Sequence, residues 1–342
     1  MTELSKDLLV WFEKNGRKSL PWQSRPPNGY HVWLSEVMLQ QTQVKTVIGY
    51  FNNFIKEFPD FAALSFANED AVLAAWAGLG YYSRARNLHK ASKIILSLHG
   101  GFFPKTYSEA LALPGVGRST AGAVLSLTYG QPHAILDGNV KRVLARYHRI
   151  KGHYSLGSVM NELWRLAEKH TPEKQNAEYT QAIMDIGAKV CTPRKPNCGS
   201  CPISKKCGSF VHKQQEMFPQ KRLKKIVPQK EIAFLIFRNE KGEIHLEKRP
   251  VKGIWGGLWS FIECTNERDS IKTKTLNHNS KASVEKTLTK FKHSFSHFTL
   301  LITPIIIHSP GASKNYFKTN NISLGVPAPV RKIIESLDLI IH

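Results

Sequence analysis

Ser108-Glu-Ala-Leu-Ala-Leu113, Pro114-Gly-Val-Gly117 and Arg118-Ser-Thr-Ala-Gly-Ala-Val-Leu-Ser-Leu127 follow one another directly in the chain. The outer stretches have helix-forming composition and the middle one breaks it, which predicts two short helices joined by a Pro-Gly-x-Gly turn. The turn leaves backbone N–H groups open at the start of the second helix, and Gly115 and Gly117 let a phosphate approach them closely. This is a helix-hairpin-helix unit, which grips a nucleic-acid backbone without reading its sequence. A dinucleotide fingerprint would need glycine where Thr120 stands and a strand before it. The G-x4-G-K-[ST] phosphate loop occurs nowhere in the chain.

The charge agrees with the hairpin. The 342 residues hold 48 Lys+Arg against 26 Asp+Glu, a net charge of +22, so nucleic acid is the first candidate partner and an anionic membrane surface the second. With 42% apolar and 22% charged residues the composition is globular and excludes a largely disordered chain. No apolar run approaches the ~18 residues of a membrane span; Ile232 to Phe237 has six. The N-terminus, Met1-Thr-Glu-Leu-Ser-Lys-Asp7, has neither the basic-then-apolar pattern of a secretory signal nor the Arg-rich, acid-poor pattern of a transit peptide. A cytoplasmic protein, associated with the nucleoid through DNA, is the expectation.

Residues 1–210 read as helical. Leu4, Leu8, Trp11 and Phe12 share one face before Asn15-Gly16, Asn68-Glu-Asp70 starts a capped helix, and Val159, Leu163, Trp164 and Ala167 repeat the spacing. After Cys207 the character changes. Residues 211–229 are basic and proline-bounded, as in a linker, and residues 230–342 read as a smaller α+β domain. Its strands are predicted at Glu231–Arg238, at 244–249 and at Phe298–Ile307, the last interrupted by Pro304, with a closing helix over Val330–Leu337.

Four of the five cysteines crowd into a loop at 191–207, spaced Cys191-x6-Cys198-x2-Cys201-x5-Cys207. Four thiolates so close can converge on one inorganic centre, and spacing alone leaves structural zinc and a [4Fe–4S] cluster open. Cys264, alone in the second domain, reads as packing. Two carboxylates stand out. Glu36 sits among Val32, Trp33, Val37 and Leu39 on a helical wheel, and an acid so enclosed has a raised pKa, as a general acid at neutral pH requires. Asp137, in Leu136-Asp-Gly-Asn-Val-Lys-Arg142, reads by itself as a helix N-cap.

Taken together, Leu34-Ser-Glu-Val-Met-Leu-Gln-Gln-Thr-Gln43, Gly78-Leu-Gly-Tyr-Tyr82, Leu113-Pro-Gly-Val-Gly-Arg-Ser-Thr-Ala-Gly122, Leu136–Arg142 and the cysteine loop closely resemble the A/G-specific adenine DNA glycosylases, the MutY family of the endonuclease III superfamily. The resemblance is dense over 1–210 and returns in Gly253-Ile-Trp-Gly-Gly-Leu-Trp259 and His293-Ser-Phe-Ser-His297. It implies a mainly α helix-hairpin-helix glycosylase domain followed by a Nudix-like α+β domain, with the four cysteines holding a [4Fe–4S] cluster. The implied substrate is adenine mispaired with 8-oxoguanine or guanine in double-stranded DNA, flipped out of the duplex. Glu36 matches the acid that protonates adenine, Asp137 the carboxylate that stabilises the oxocarbenium-like sugar, and Asn139 a polar group orienting that site. Tyr81 matches the aromatic wedge beside the lesion, Gln41 the residue filling the opened stack, and Gln181 a reader of the adenine. Phe295, Ser296 and His297 match the loop that probes 8-oxoguanine. The full Nudix signature is missing after Trp259, so pyrophosphate hydrolysis is not expected. A monomer without membrane partners is expected.

Two alternatives are a bifunctional glycosylase/lyase of the endonuclease III type and an inactive DNA-binding relative. Those lyases carry a lysine where this chain has Ser119, and an inactive relative would have lost Glu36 or Asp137.

Overall fold

The computed structural model describes residues 1–221, 227–295, 297–311 and 314–341. It divides into two compact units, Met1–Phe66 with Asn87–Leu223 and Ala67–Arg86 with Lys224–His342. The first unit is therefore not the unbroken 1–210 expected, because residues 67–86 leave it and join the second. The cause is local. Asp70 pairs with Lys248 at 2.6 Å, and the Arg86 guanidinium donates to the Gly256 carbonyl. Leu73 lies so close to Gly325 that an added Cβ there would stand 3.0 Å from the Leu73 backbone.

Helices α1 (Glu3–Asn15), α2 (Gly29–Leu39), α3 (Val44–Glu57) and α4 (Phe61–Phe66) precede this excursion, which carries α5 (Glu69–Ala75) and the start of α6 (Ser83–His99). Then come α7 (Tyr107–Ala112), α8 (Arg118–Tyr129), α9 (Gly138–Tyr147), α10 (Gly157–His170), α11 (Asn176–Asp185) and α12 (Gly208–Val211). A reciprocal Thr2–Ser5 capping box opens α1, and its apolar stripe of Leu4, Leu8 and Phe12 enters one core with Val140 and Leu144 of α9, Leu163 of α10 and Ile183 of α11. The expected hairpin is α7–α8. Its turn needs a left-handed residue, supplied by Gly115 at φ +78°.

The expected linker from 211 is shorter at its start. Arg146 donates to the carbonyls of Gln215 and Phe218, and Phe218 is buried, so the chain stays attached to the first unit at least that far. Residues 222–226 of the linker lie outside the described residues.

In the second unit the strands are β1 (Gln229–Arg238), β2 (Ile244–His245), β3 (Glu247–Lys248), β4 (Trp259–Ser260), β5 (Ile262–Cys264), β6 (Ser283–Thr287), β7 (Phe291–Ser294), β8 (Thr299–His308) and β9 (Tyr316–Phe317), with helices α13 (Arg268–His278) and α14 (Ala328–Ile341). The sheet order is β6-β8-β1-β2-β9, with β5 also on β1 and β7 also on β8. The central pair β1/β8 is parallel from Gln229↔Thr299 to Arg238↔His308, and Ile232–Phe237 is buried without alternation, as for a strand covered on both faces. Cys264 packs in this core.

Two expectations change here. The strand expected over 244–249 divides at Leu246, whose N–H turns to the Asn315 carbonyl at 3.0 Å, so β2 joins the main sheet and β3 pairs with β4. Pro304 does not interrupt β8. It sits opposite the gap between β6 and β7, where only the Leu288 N–H reaches its carbonyl, at 2.9 Å, and its missing donor costs no ladder bond.

Candidate active site

Helix α2 sets Glu36 among buried Val32, Trp33 and Val37. Burial pushes its carboxyl up to about 8, and the negative charge of Asp137 adds to the rise. Asp137 is at once the N-cap of α9 and the second carboxylate: Oδ1 accepts from the Val140 N–H at 2.7 Å and Oδ2 from Asn139 Nδ2 at 2.9 Å. Its pKa is raised by burial, while these hydrogen bonds and the Arg142 guanidinium favour the anion. A carboxyl that holds its proton toward neutrality thus stands beside a second carboxylate braced by hydrogen bonds, the two groups that acid-assisted bond cleavage needs.

Neighbouring polar groups fix this pair. Asn139 is held by Arg142, whose Nη2 donates to Asn139 Oδ1 at 2.9 Å. Ser119, early in α8, accepts the Leu136 N–H at 3.0 Å and so anchors the residue before Asp137. Gln40 reaches Thr120 at 3.2 Å, tying the end of α2 to the hairpin helix. Gly117 precedes α8 without a side-chain cap, and both Gly115 and Gly117 are exposed, leaving the turn open to an anion.

A cleft of about 410 Å³ opens beside α2, with Trp22, Arg25, Val32 and Gln181 in its wall. Gln181 is positioned at both ends, its Nε2 donating to Asp185 at 2.8 Å and its Oε1 accepting from Gln23 at 3.1 Å. Asp185 is fully buried and pairs with Arg17 at 2.6 Å. Sequence reasoning missed Trp22, Gln23 and the Arg17–Asp185 pair, which lie in an aperiodic stretch and on a distant helix with no shared motif.

Cys191, Cys198, Cys201 and Cys207 line one small cavity. Burial raises the thiols of Cys198, Cys201 and Cys207, Cys201 to about 12, and each thiolate would raise the others, so four thiolates persist there only around a compensating cation. Arg146, also missed in the sequence, is buried behind the loop and donates to Cys191 Sγ at 3.3 Å and to the Thr192 carbonyl at 2.7 Å.

Gln41 is exposed just past α2, in a left-handed conformation at φ +60°. Tyr81 also has a left-handed backbone, φ +48°, and is half exposed. The Arg84 guanidinium covers the Trp76 and Tyr81 rings and donates to the Leu79 and Gly80 carbonyls, both at 3.1 Å, which pins the Tyr81 turn. In the second unit Phe295 stacks on Phe298 with ring centroids 4.5 Å apart and meets Trp255 at 5.3 Å, while His297 is exposed beside Phe298. Ser296 lies outside the described residues. The structure thus gathers Glu36, Asp137, Asn139 and Ser119 in the first unit, and Tyr81, Phe295 and His297 belong to the second.

Residues 34–169 match the HhH-GPD superfamily base excision DNA repair proteins, and residues 233–336 match the NUDIX domain. The adenine DNA glycosylase of Buchnera aphidicola subsp. Acyrthosiphon pisum is 41% identical over 345 residues, covering 97% of each chain. The chain belongs to the adenine DNA glycosylase family. The human adenine DNA glycosylase is 32% identical over 384 residues, covering 91% of this chain and 70% of that one. Among solved structures, a thermostable thymine-DNA glycosylase aligns with a TM-score of 0.54 at 28% identity, over 61% of this chain and 95% of its own. The endonuclease III fold, in a non-covalent DNA complex, aligns with a TM-score of 0.53 at 21% identity, over 62% of this chain and 95% of its own. As a member of the adenine DNA glycosylase family the protein is a base-excision repair enzyme that hydrolyses N-glycosidic bonds. No helix among the described residues is long and apolar enough to cross a membrane.

Proposed function

We propose that the enzyme is monofunctional and removes adenine opposite 8-oxoguanine or guanine in duplex DNA. The observation that carries this reading is the Glu36–Asp137 pair, with Glu36 raised to about 8 beside an aspartate braced by Asn139 and Val140. In this reading the flipped adenine enters the cleft walled by Trp22 and Gln181, and Glu36 gives a proton to the ring so that the base departs neutral. Asp137 faces the cationic sugar that remains, and water completes the hydrolysis. Ser119 offers no amine, so the strand is left intact. Tyr81 and Gln41 keep the duplex open at the lesion, and the Phe295–His297 loop meets the oxidised guanine on the opposite strand.

The four cysteines, which line one small cavity, are the residues that would hold a [4Fe–4S] cluster. The cluster would supply a rigid anchor for the basic loop of Arg194, Lys195, Lys205 and Lys206. The protein would act as a monomer in the cytoplasm, on the nucleoid.

Single-turnover assays on duplexes carrying 8-oxoguanine:A, G:A and 8-oxoguanine:C, read with and without hot alkali, test this. Adenine release from the first two, with strand breaks only after alkali, is expected. Release opposite neither lesion would overturn the substrate, and breaks without alkali would overturn the monofunctional reading. Iron analysis should give roughly four irons per chain, and one zinc without visible absorbance would reject the cluster.

A further inference from the structure

His245, Glu247 and His278, in the second unit and away from the motifs discussed above, place one ligand atom each within 4.8 Å of one another. The arrangement follows from the fold. His245 and Glu247 are two residues apart in extended chain, so their side chains leave the same face. His278 is the last residue of α13, at the helix end whose carbonyls favour a cation. His245 Nε2 stands 3.4 Å from Glu247 Oε1, about the separation of two ligands on a tetrahedral ion with bonds of ~2.0–2.1 Å. The His278 ring packs on Phe237 with centroids 3.9 Å apart and meets the His245 ring at 4.5 Å, which keeps the half-buried His278 side chain on the His245–Glu247 side.

We propose that these three side chains bind one divalent transition-metal ion, of which Zn(II) is the type, in a site separate from the cysteine loop. Two imidazoles and one carboxylate suit a borderline ion, whereas Mg(II) and Ca(II) require oxygen ligands. Burial lowers the pKa of both rings, and His245 adds to the effect on His278, while the Glu247 carboxylate works the other way on both. His245 is buried, and its Nδ1 lacks a well-formed hydrogen bond, although the Lys314 main chain is near enough to favour a proton on the ring. A metal on Nε2 fixes that proton on Nδ1, the usual arrangement of a ligating histidine. The bound ion fastens the β2–β3 segment to the end of α13.

The test is calorimetric titration of ZnCl2 into the full-length protein after dialysis against EDTA, beside His278→Gln, Glu247→Gln and His245→Leu. The wild type should take up one zinc that these variants bind at least about tenfold more weakly, and excess Mg(II) should not displace it. Zinc should also raise the melting temperature of the wild type and leave that of His278→Gln unchanged. His278 and Glu247 are not fully buried, so their variants carry the test even where His245→Leu fails to fold. No zinc uptake by the wild type, or uptake equal in wild type and His278→Gln, as when only the cysteines bind, would overturn the proposal.

Discussion

Arg142 holds Asn139 in place: its Nη2 donates to Asn139 Oδ1 at 2.9 Å and to the Gly187 carbonyl at 2.6 Å, while its Nε reaches the Cys191 carbonyl at 2.7 Å. Asn139 in turn donates to Asp137. One guanidinium therefore connects the main chain of the first cysteine to the carboxylate proposed to face the sugar. Arg142→Ala should lower single-turnover adenine excision by about 10- to 100-fold with little loss of mismatch affinity, since positioning at the reacting centre fails before binding does. Arg142→Lys should rescue little of it, because a single ammonium cannot span three acceptors. Excision by Arg142→Ala within twofold of wild type would show that Asp137 needs no such brace.

Glu36→Gln should abolish excision and leave mismatch binding largely intact, the amide keeping the shape without an acidic proton. Two pH effects follow from the raised carboxyl. Wild-type excision should decline above about pH 8, where Glu36 loses its proton. The folded protein holds that proton to a higher pH than the unfolded chain, whose pKa is the ordinary 4.5, so the stability it contributes is fully present below 4.5 and lost as pH rises to about 8. The variant should therefore melt a few degrees above wild type at pH 8, with the difference vanishing near pH 4.5. Melting curves across that range check the sign, and a variant less stable at pH 8 than at pH 5 relative to wild type contradicts it.

Much of this site was legible because its chemistry rests on short local patterns. Asp137 sits at a helix start, Glu36 on an apolar helix, and the hairpin turn carries its own glycines. In the sequence Arg142 is only the end of the Leu136–Arg142 motif, and nothing singles out Arg146. Their partners, the carbonyls of Gly187, Cys191 and Thr192, come from chain more than 40 residues away, and no spacing rule reports such a pairing. The split at Leu246 was hidden for the same reason, since its N–H is claimed by Asn315. Residues 67–86 looked like ordinary helical sequence, and only the close approach of Leu73 to Gly325 and the Asp70–Lys248 pair assign them to the second unit.

That assignment changes what truncation near Gln229 should do. Removing the second domain deletes Phe295, Ser296 and His297, so the preference for 8-oxoguanine:A over G:A should shrink. It also deletes Lys248, Gly256 and Gly325, which pack against the segment bearing Tyr81. Affinity for the G:A mismatch should therefore fall as well, and proteolysis should open first within 67–86. Lys248→Ala with Gly325→Val in the full chain should reproduce part of the affinity loss while keeping the 8-oxoguanine loop. Unchanged G:A binding by the truncated protein would mean that the Tyr81 turn stands without that support.

Ser119 offers the sharpest separation between hydrolysis and lyase chemistry. It lies 18 positions before Asp137, the interval at which the resembling bifunctional enzymes carry their nucleophilic lysine. A hydroxyl cannot form an imine with the sugar C1′, so the wild-type protein should leave an intact abasic strand. Ser119→Lys places an amine next to Leu136 and Asp137, where partial burial lowers its pKa and exposes the nucleophilic form. The Schiff base would form as the base leaves, and elimination would then break the strand. The same substitution removes the acceptor that holds the Leu136 N–H at 3.0 Å, so adenine release should slow by about tenfold even as nicking appears. Ser119→Ala separates the two effects, since it loses the acceptor without gaining the amine. Lys141, one turn past Asp137 with its ammonium over the Tyr154 ring, can trap some abasic product adventitiously, so borohydride cross-linking alone does not decide. Strand nicking without alkali does. It should be absent in wild type and Ser119→Ala and present in Ser119→Lys, and nicking by the wild type in step with base release would assign the enzyme to the lyases.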